Sequence, residues 1–218
     1  MGISVEGQVG PRYMGDGGNG ELRVARDAAV VVGSGHGIYY EPTYRGQVFS
    51  MATAQAGLTV AAGNIAPMSA GGTPHLALYN PSGSGIYASV ICTNHVSVSG
   101  TPGVGAFSYC IGANNVITAA GNVTARCNLI SGRSPVCRGY SATAMTGSLL
   151  TQVVRPIGMP TFAGAVAATT FDGAWKSYCY GEFVLGPGGL FVVCIAAAGS
   201  THVVASSITW EEIPGASL

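Results

Sequence analysis

The side chains best able to do chemistry in this sequence are few and widely spaced. Histidine stands at positions 36, 75, 95 and 202, and cysteine at 92, 110, 127, 137, 179 and 194. The two neighbouring carboxylates are Glu211 and Glu212. A zinc or iron centre draws its ligands from His, Cys and carboxylate side chains at short, regular spacings. No CxxC and no HExxH is present, and none of His36, His75, His95 and His202 has a ligand partner close by in sequence. A cupin-type centre would set His and Glu on neighbouring strands. His75 and His95 fall in strand-like segments, yet no acidic residue lies between Gly46 and Ala125. Satisfied or solvated histidines are therefore expected, and no metal or other cofactor.

The remaining constellations are equally sparse. Adjacent strand positions point to opposite faces, so Glu211 and Glu212 cannot flank one substrate bond. Gly33 to Gly37 (GSGHG) precedes Ile38 and Tyr39 rather than a helix start, and reads as a flexible loop instead of a phosphate cradle. Asp16 and Asn19 sit in GDGGNG without the other oxygen ligands of a calcium loop. Asp172 near Trp175 pairs a carboxylate with a stacking ring, which suits a sugar, although a loop anchored by Trp175 is the plainer reading. No P-loop and no nucleophile elbow occurs. An enzyme is not expected. Most of the cysteines are read as small buried hydrophobes in a reducing cytoplasm, with disulfide bridges as the alternative.

The elements that must position these groups read as strands. Ile86 to Val98 alternates, with Ile86, Ala88, Val90, Cys92, Val96 and Val98 expected on one face and Tyr87, Ser89, Thr93, His95 and Ser97 on the other. Leu76 to Tyr79, Ala106 to Ile111, Val123 to Ile130, Leu149 to Arg155, Gly181 to Leu185, Leu190 to Ala198 and His202 to Ile213 continue the pattern. Pro81 to Gly85 is a turn, and Gly186 to Gly189 (GPGG) suits a tight hairpin. Gly, Thr, Val and Ser interrupt every candidate helix. Many short strands separated by turns predict an all-β, jelly-roll-like antiparallel β-sandwich. Residues 1–35 are Gly-rich and polar, and read as an extended N-terminal arm ahead of a sandwich domain at 36–218.

Charge is the most unusual feature. Charged residues make up 8% of the 218, against about 25% in a typical soluble domain. Half of them lie in the first 45 residues, and the 80 residues from Gly46 to Ala125 contain none. A lone domain uses ionised side chains to stay soluble and separate, so such a stretch is expected to be buried or to face other protein. The balance of 9 basic and 9 acidic residues, with Lys176 the single lysine, argues against nucleic acid as a direct partner. The start MGISVEGQVG has no basic segment leading into an apolar run, so no secretory signal is expected. The longest apolar run, Leu190 to Ala198, is too short to span a bilayer, and no membrane partner is expected.

Five segments, in order along the chain, together resemble a family of jelly-roll structural proteins of tailed bacteriophages. They are His36–Glu41 with Tyr44–Phe49 (HGIYYE and YRGQVF), Leu78–Gly85 (LYNPSGSG), Arg155-Pro156, Gly181–Gly188 (GEFVLGPG) and Ile208–Pro214 (ITWEEIP). The resemblance implies a virion component, assembled in the host bacterial cytoplasm, with no catalytic residues to carry over. Tyr39, Tyr40, Tyr44 and Arg45 combine contact area with hydrogen bonding and are the candidate interface residues. Trp210 is expected between the sheets, with Glu211 or Glu212 turned to solvent. The expected function is decoration or cementing of the capsid, as a homo-oligomer (a trimer first) bound to the major capsid protein. The alternative is a tail, collar or head-fibre component with a host-surface or glycan-binding role.

Overall fold

Val, Ile, Thr and aromatic residues alternate with small polar ones over most of the chain, a composition that fits a pleated, half-buried surface better than a helix. A computed structural model describes residues 38–59, 73–100, 105–118, 120–129, 132–142, 145, 147–148, 151–156, 174–197 and 201–215. The chain divides into two units, residues 1–41 and 42–218. The arm expected over residues 1–35 lies outside the described residues, as do His36, Asp16, Asn19 and Asp172.

One short helix, α1 (Tyr40–Tyr44), precedes the strands, where no helix is expected from the sequence. The strands are β1 (Val48–Ala52), β2 (Leu58–Thr59), β3 (Leu76–Tyr79), β4 (Ile86–Ser99), β5 (Gly105–Gly112), β6 (Val116–Ile117) and β7 (Arg126–Cys127). They continue as β8 (Arg138–Tyr140), β9 (Gly147–Ser148), β10 (Gln152–Pro156), β11 (Ala174–Tyr178), β12 (Val184–Leu185), β13 (Leu190–Ala197) and β14 (Val203–Pro214). One sheet runs β11-β4-β14-β1-β7, with β12 beside β4 and β2 beside β14. The other runs β10-β5-β13-β3-β8, and β6 pairs with β9. All of these pairings are antiparallel.

Eight strands carry the architecture. Taken in chain order as first to eighth (β1, β3, β4, β5, β10, β11, β13, β14), they give one sheet ordered first-eighth-third-sixth and another ordered second-seventh-fourth-fifth. That is the double Greek key of a jelly roll. The protein is an all-β antiparallel sandwich, as its alternating segments indicate.

Phe49, Leu78, Val90, Phe107, Phe191, Ile208 and Trp210 meet between the sheets, all at 0% exposure. Trp210 stacks on Phe49 with ring centroids 5.9 Å apart. The second sheet is buried on its other face too: Ala77, Tyr79, Cys110, Tyr140, Leu190, Val192 and Cys194 pack with Ile117 and Met145. This is why β3 reads as an unbroken apolar run, LALY, rather than an alternation.

Three expectations are corrected by this arrangement. Gly186 to Gly189 does not close a hairpin, because β12 pairs with β4 in one sheet and β13 with β3 and β5 in the other. The turn, tied by Gly189 N to Gly186 O at 2.8 Å, carries the chain across the sandwich. Among the described residues of Val123 to Ile130, those up to 129, only Arg126–Cys127 joins a sheet, while Val123 makes an isolated bridge to Gly139. The Asn122 side chain competes with the ladder here. Its Nδ2 donates to Ser141 O at 2.6 Å, and its Oδ1 accepts from Ser141 N at 2.9 Å. The third lies in β4, whose alternation does not hold along its whole length and whose second half builds a polar interior.

Candidate functional site

Strand β4 changes face halfway along its length. Its pairing with β14 slips between Thr209 and Trp210, so that Thr209 faces Cys92 while Trp210 faces Val90. One extra residue, Ile91, is a β-bulge, and a one-residue slip turns every later side chain over. Ile86, Ala88 and Val90 point inward as expected, but beyond the bulge Thr93, His95 and Ser97 are the buried set. Val96 and Val98, expected on the buried face, are exposed instead.

The inverted half of β4 meets two other histidines. His75 lies just ahead of β3 and His202 just ahead of β14. Ser206 on β14, opposite His95, places its Oγ 3.0 Å from His75 Nε2 and 2.8 Å from His95 Nδ1. His95 Nε2 is 3.0 Å from Thr93 Oγ1, which bonds in turn to the Tyr109 hydroxyl. Ser97 bonds to His202 Nε2, and the His95 ring lies 5.3 Å from that of Phe107. Tyr109, Thr93, His95, Ser206 and His75 thus form one continuous chain between the sheets.

The chain has a preferred direction. A neutral imidazole has one donor and one acceptor nitrogen, so the hydroxyls between must all point the same way. His75 Nδ1 is buried without a hydrogen-bond partner. If His75 donates from Nε2 to Ser206, Ser206 donates to His95, His95 to Thr93 and Thr93 to Tyr109, whose hydroxyl continues to Ser177. That direction leaves His75 Nδ1 as a bare acceptor; the reverse would strand a buried N–H, which costs more. A protonated ring donates at both nitrogens and breaks the sequence. Burial, helped by His202, holds His75 down to about 4. Burial, helped by His75, holds His95 down to about 3. Burial also lowers His202 and raises Tyr109. The Ser206 hydroxyl is engaged on both sides and 3% exposed, so it is a polar staple rather than a nucleophile within reach of a substrate. Among the described residues no group of three His, Cys, Asp or Glu side chains is placed to hold a metal.

A second polar device closes the opposite end of β14. The Glu212 side chain is completely buried. It accepts from Val136 N at 2.9 Å, Cys137 N at 2.9 Å, Arg133 Nη2 at 3.4 Å and Trp210 Nε1 at 3.4 Å. Of the two carboxylates it is Glu211 that is half-exposed, with its pKa raised by partial burial. Burial and the Glu212 charge push the Cys137 thiol well up, and burial pushes Cys179 up to about 11. All six cysteines are free thiols; Cys110 and Cys194 lie 3.3 Å apart, sulfur to sulfur.

The sandwich is open along one edge, where β10 of one sheet and β11 and β12 of the other end their sheets. A cleft of about 560 Å³ lies there, lined by Ile111, Thr151, Gln152, Glu182, Phe183 and Leu185 together with several glycines. Arg155 on β10 reaches Glu182 Oε2 at 2.6 Å, tying the two edges together. The turn that delivers Glu182 also carries Tyr180. Glu182 N bonds to Cys179 O at 2.7 Å, and the two central residues have positive φ, +44° at Tyr180 and +85° at Gly181. This is the two-residue turn that favours Asn-Gly. Tyr180 is 65% exposed and stacks on Tyr178, with centroids 5.0 Å apart and planes 10° from parallel, while Lys176 Nζ covers Tyr178 at 4.4 Å.

Of the interface residues expected from sequence, Tyr40 and Tyr44 are exposed on α1, Arg45 is exposed just after it, and Tyr39 is half-buried just before it. Trp175 lies on β11 in register with His95. The polar chain, the Glu212 clasp and the Tyr178–Tyr180 stack are additional to that set. Set against known proteins, the chain matches no family model, no curated protein and no solved structure.

Proposed function

We propose that this protein is a non-catalytic structural component of a tailed-bacteriophage particle, which decorates or cements the capsid by binding neighbouring subunits. The observation that carries the reading is the outer face of the β11-β4-β14-β1-β7 sheet. Val96 and Val98, beyond the bulge of β4, are exposed on that face. Its centre is polar but uncharged, and partly self-satisfied: Asn94 Nδ2 donates to Ser207 Oγ at 3.1 Å, and Ser50 and Thr209 hydroxyls share a bond at 3.0 Å. Lys176 and Arg126 stand on the two edge strands, and Glu211 is half-buried near one end. A face whose polar groups already have partners and whose charges sit at the rim loses little on desolvation, which suits coverage by protein. The jelly-roll topology and the five phage-like segments support the same reading, although a fold alone does not select a function.

On this reading the protein associates with itself, a trimer first, and with the major capsid protein. Light scattering on the purified chain is expected to give a discrete oligomer. Val96→Lys with Val98→Lys places two charges on the contact face without touching the core, and is expected to weaken association by about a hundredfold or more. Mass spectrometry of particles is expected to find copies comparable with the major capsid protein. A well-behaved monomer, or absence from the head lattice by electron cryo-microscopy, would overturn the proposal.

A further inference from the structure

We infer that the cleft between β10 and the β11–β12 turn is a binding site for a neutral saccharide. It lies within the size range of small-ligand sites. A pyranose presents a flat C–H face and a rim of hydroxyls that both donate and accept. Recognising it takes an apolar wall beside groups of both hydrogen-bonding kinds. Ile111, Phe183 and Leu185 supply the wall, and the Gln152 amide supplies a donor and an acceptor. Glu182 adds acceptors, and its charge is balanced by Arg155, which donates to its Oε2 at 2.6 Å. Because these two charges cancel, the cleft has no surplus charge to favour a phosphate or a free acid, and a lipid chain would offer Thr151, Gln152 and Glu182 no hydrogen-bonding groups.

Tyr180 is the independent observation. A non-glycine side chain in the left-handed region is unfavourable, and asparagine would fill this turn position at lower cost. The protein instead holds a large ring there, with φ +44°, 65% exposed, on the turn that delivers Glu182 into the cleft. Tyr178, capped by Lys176, backs that ring and fixes its plane. Strain kept at an exposed aromatic residue beside a cleft marks a working surface, and a stacking platform for a further sugar ring is the use that matches the cleft chemistry. The inference does not depend on the virion reading, and holds for head or tail placement alike.

The test is a glycan array of neutral and acidic saccharides probed with the full chain, followed by calorimetric titration of hits. Neutral glycans are expected to bind. Gln152→Ala and Tyr180→Asn are each expected to weaken binding about tenfold or more, while Gln55→Lys, in the exposed turn between β1 and β2 at the other end of the sheet, leaves it unchanged. Tyr180→Asn relieves the turn, so its thermal midpoint is expected to hold or rise, and loss of binding cannot then be ascribed to misfolding. Absence of any hit at about 10 mM saccharide, hits confined to acidic glycans, or binding that survives both substitutions would overturn the inference.

Discussion

Acidification from neutral pH to about pH 4 is expected to unfold this protein through a steep transition, driven by the histidines between the sheets. In the unfolded chain each imidazole takes up its proton near pH 6.5. In the folded chain His75 does so only at about 4 and His95 only at about 3. A lowered basic pKa means that the unfolded state binds protons first as the pH falls. Stability is therefore greatest above pH 6.5 and is lost below it, until the folded-state values are reached. Integrated over those windows, His75 accounts for about 3 kcal/mol and His95 for about 5 kcal/mol. The total stability of a domain is typically about 5–15 kcal/mol. The lowered value at His202 acts in the same direction, and the raised value at Glu211 opposes it weakly.

The transition is steep because more than one ring takes up its proton only on unfolding, and repulsion between the rings widens the pH window by lowering their folded-state values further. His202 disfavours the charge on His75, and His75 that on His95. Phe107 and the hydroxyls of Thr93, Ser97, Ser206 and Tyr109 face the rings, and no carboxylate among the described residues does so. Two protons taken up on unfolding lower the folding constant by about a hundredfold per pH unit. Denaturant titrations at a series of pH values measure this slope directly. His95→Gln, which keeps a donor and an acceptor, is expected to remove one proton and reduce the slope to about tenfold. Stability that stays flat from neutral pH to about pH 5 would show that the rings are not held neutral.

The same polar chain shows where a sequence stops being legible. The class of fold is written in the alternation of Ile86 to Val90, in the unbroken LALY of β3, and in the turn residues between strands. The position of Trp210 follows too, since a large ring in an alternating strand has one apolar layer to enter. The half of β4 beyond Ile91 is different, because both of its faces are plausible. Val96 and Val98 look like core and Thr93, His95 and Ser97 look like surface, and local pattern favours the wrong one. What decides is a bulge opposite Thr209, set by strands more than a hundred residues apart in sequence. A period of two carries no mark of the residue at which it slips. The crossing at Gly186 to Gly189 is hidden for a related reason: a tight turn looks the same whether it returns to its own sheet or passes to the other.

Glu212 is the second case, and its removal is expected to have the largest effect of any single substitution considered. By sequence it is one of two adjacent glutamates in the last strand. By position it shares the inner face with Trp210, and its side chain is 0% exposed. The carboxylate is the acceptor for two successive backbone N–H groups, Val136 and Cys137, and for the indole N–H. Without it two buried donors, Cys137 N at the entry to β8 and the Trp210 indole on β14, lose their acceptor, and so does the partly exposed Val136 N. Each unsatisfied group costs about 1–3 kcal/mol, so Glu212→Ala is expected to lose about 3–5 kcal/mol, enough to unfold many domains of this size. Glu212→Gln keeps one acceptor but turns an amide N–H₂ toward those donors, and is expected to lose roughly half as much. Arg133 gives the contrast. Its side chain is 46% exposed and can turn to water, so Arg133→Ala is expected to cost less than about 1 kcal/mol. Chemical denaturation of the three variants separates two accounts of the clasp. If Arg133→Ala proved as damaging as Glu212→Ala, the ion pair would be the stabilising element. The ordering Glu212→Ala, then Glu212→Gln, then Arg133→Ala places the stabilisation in the backbone donors.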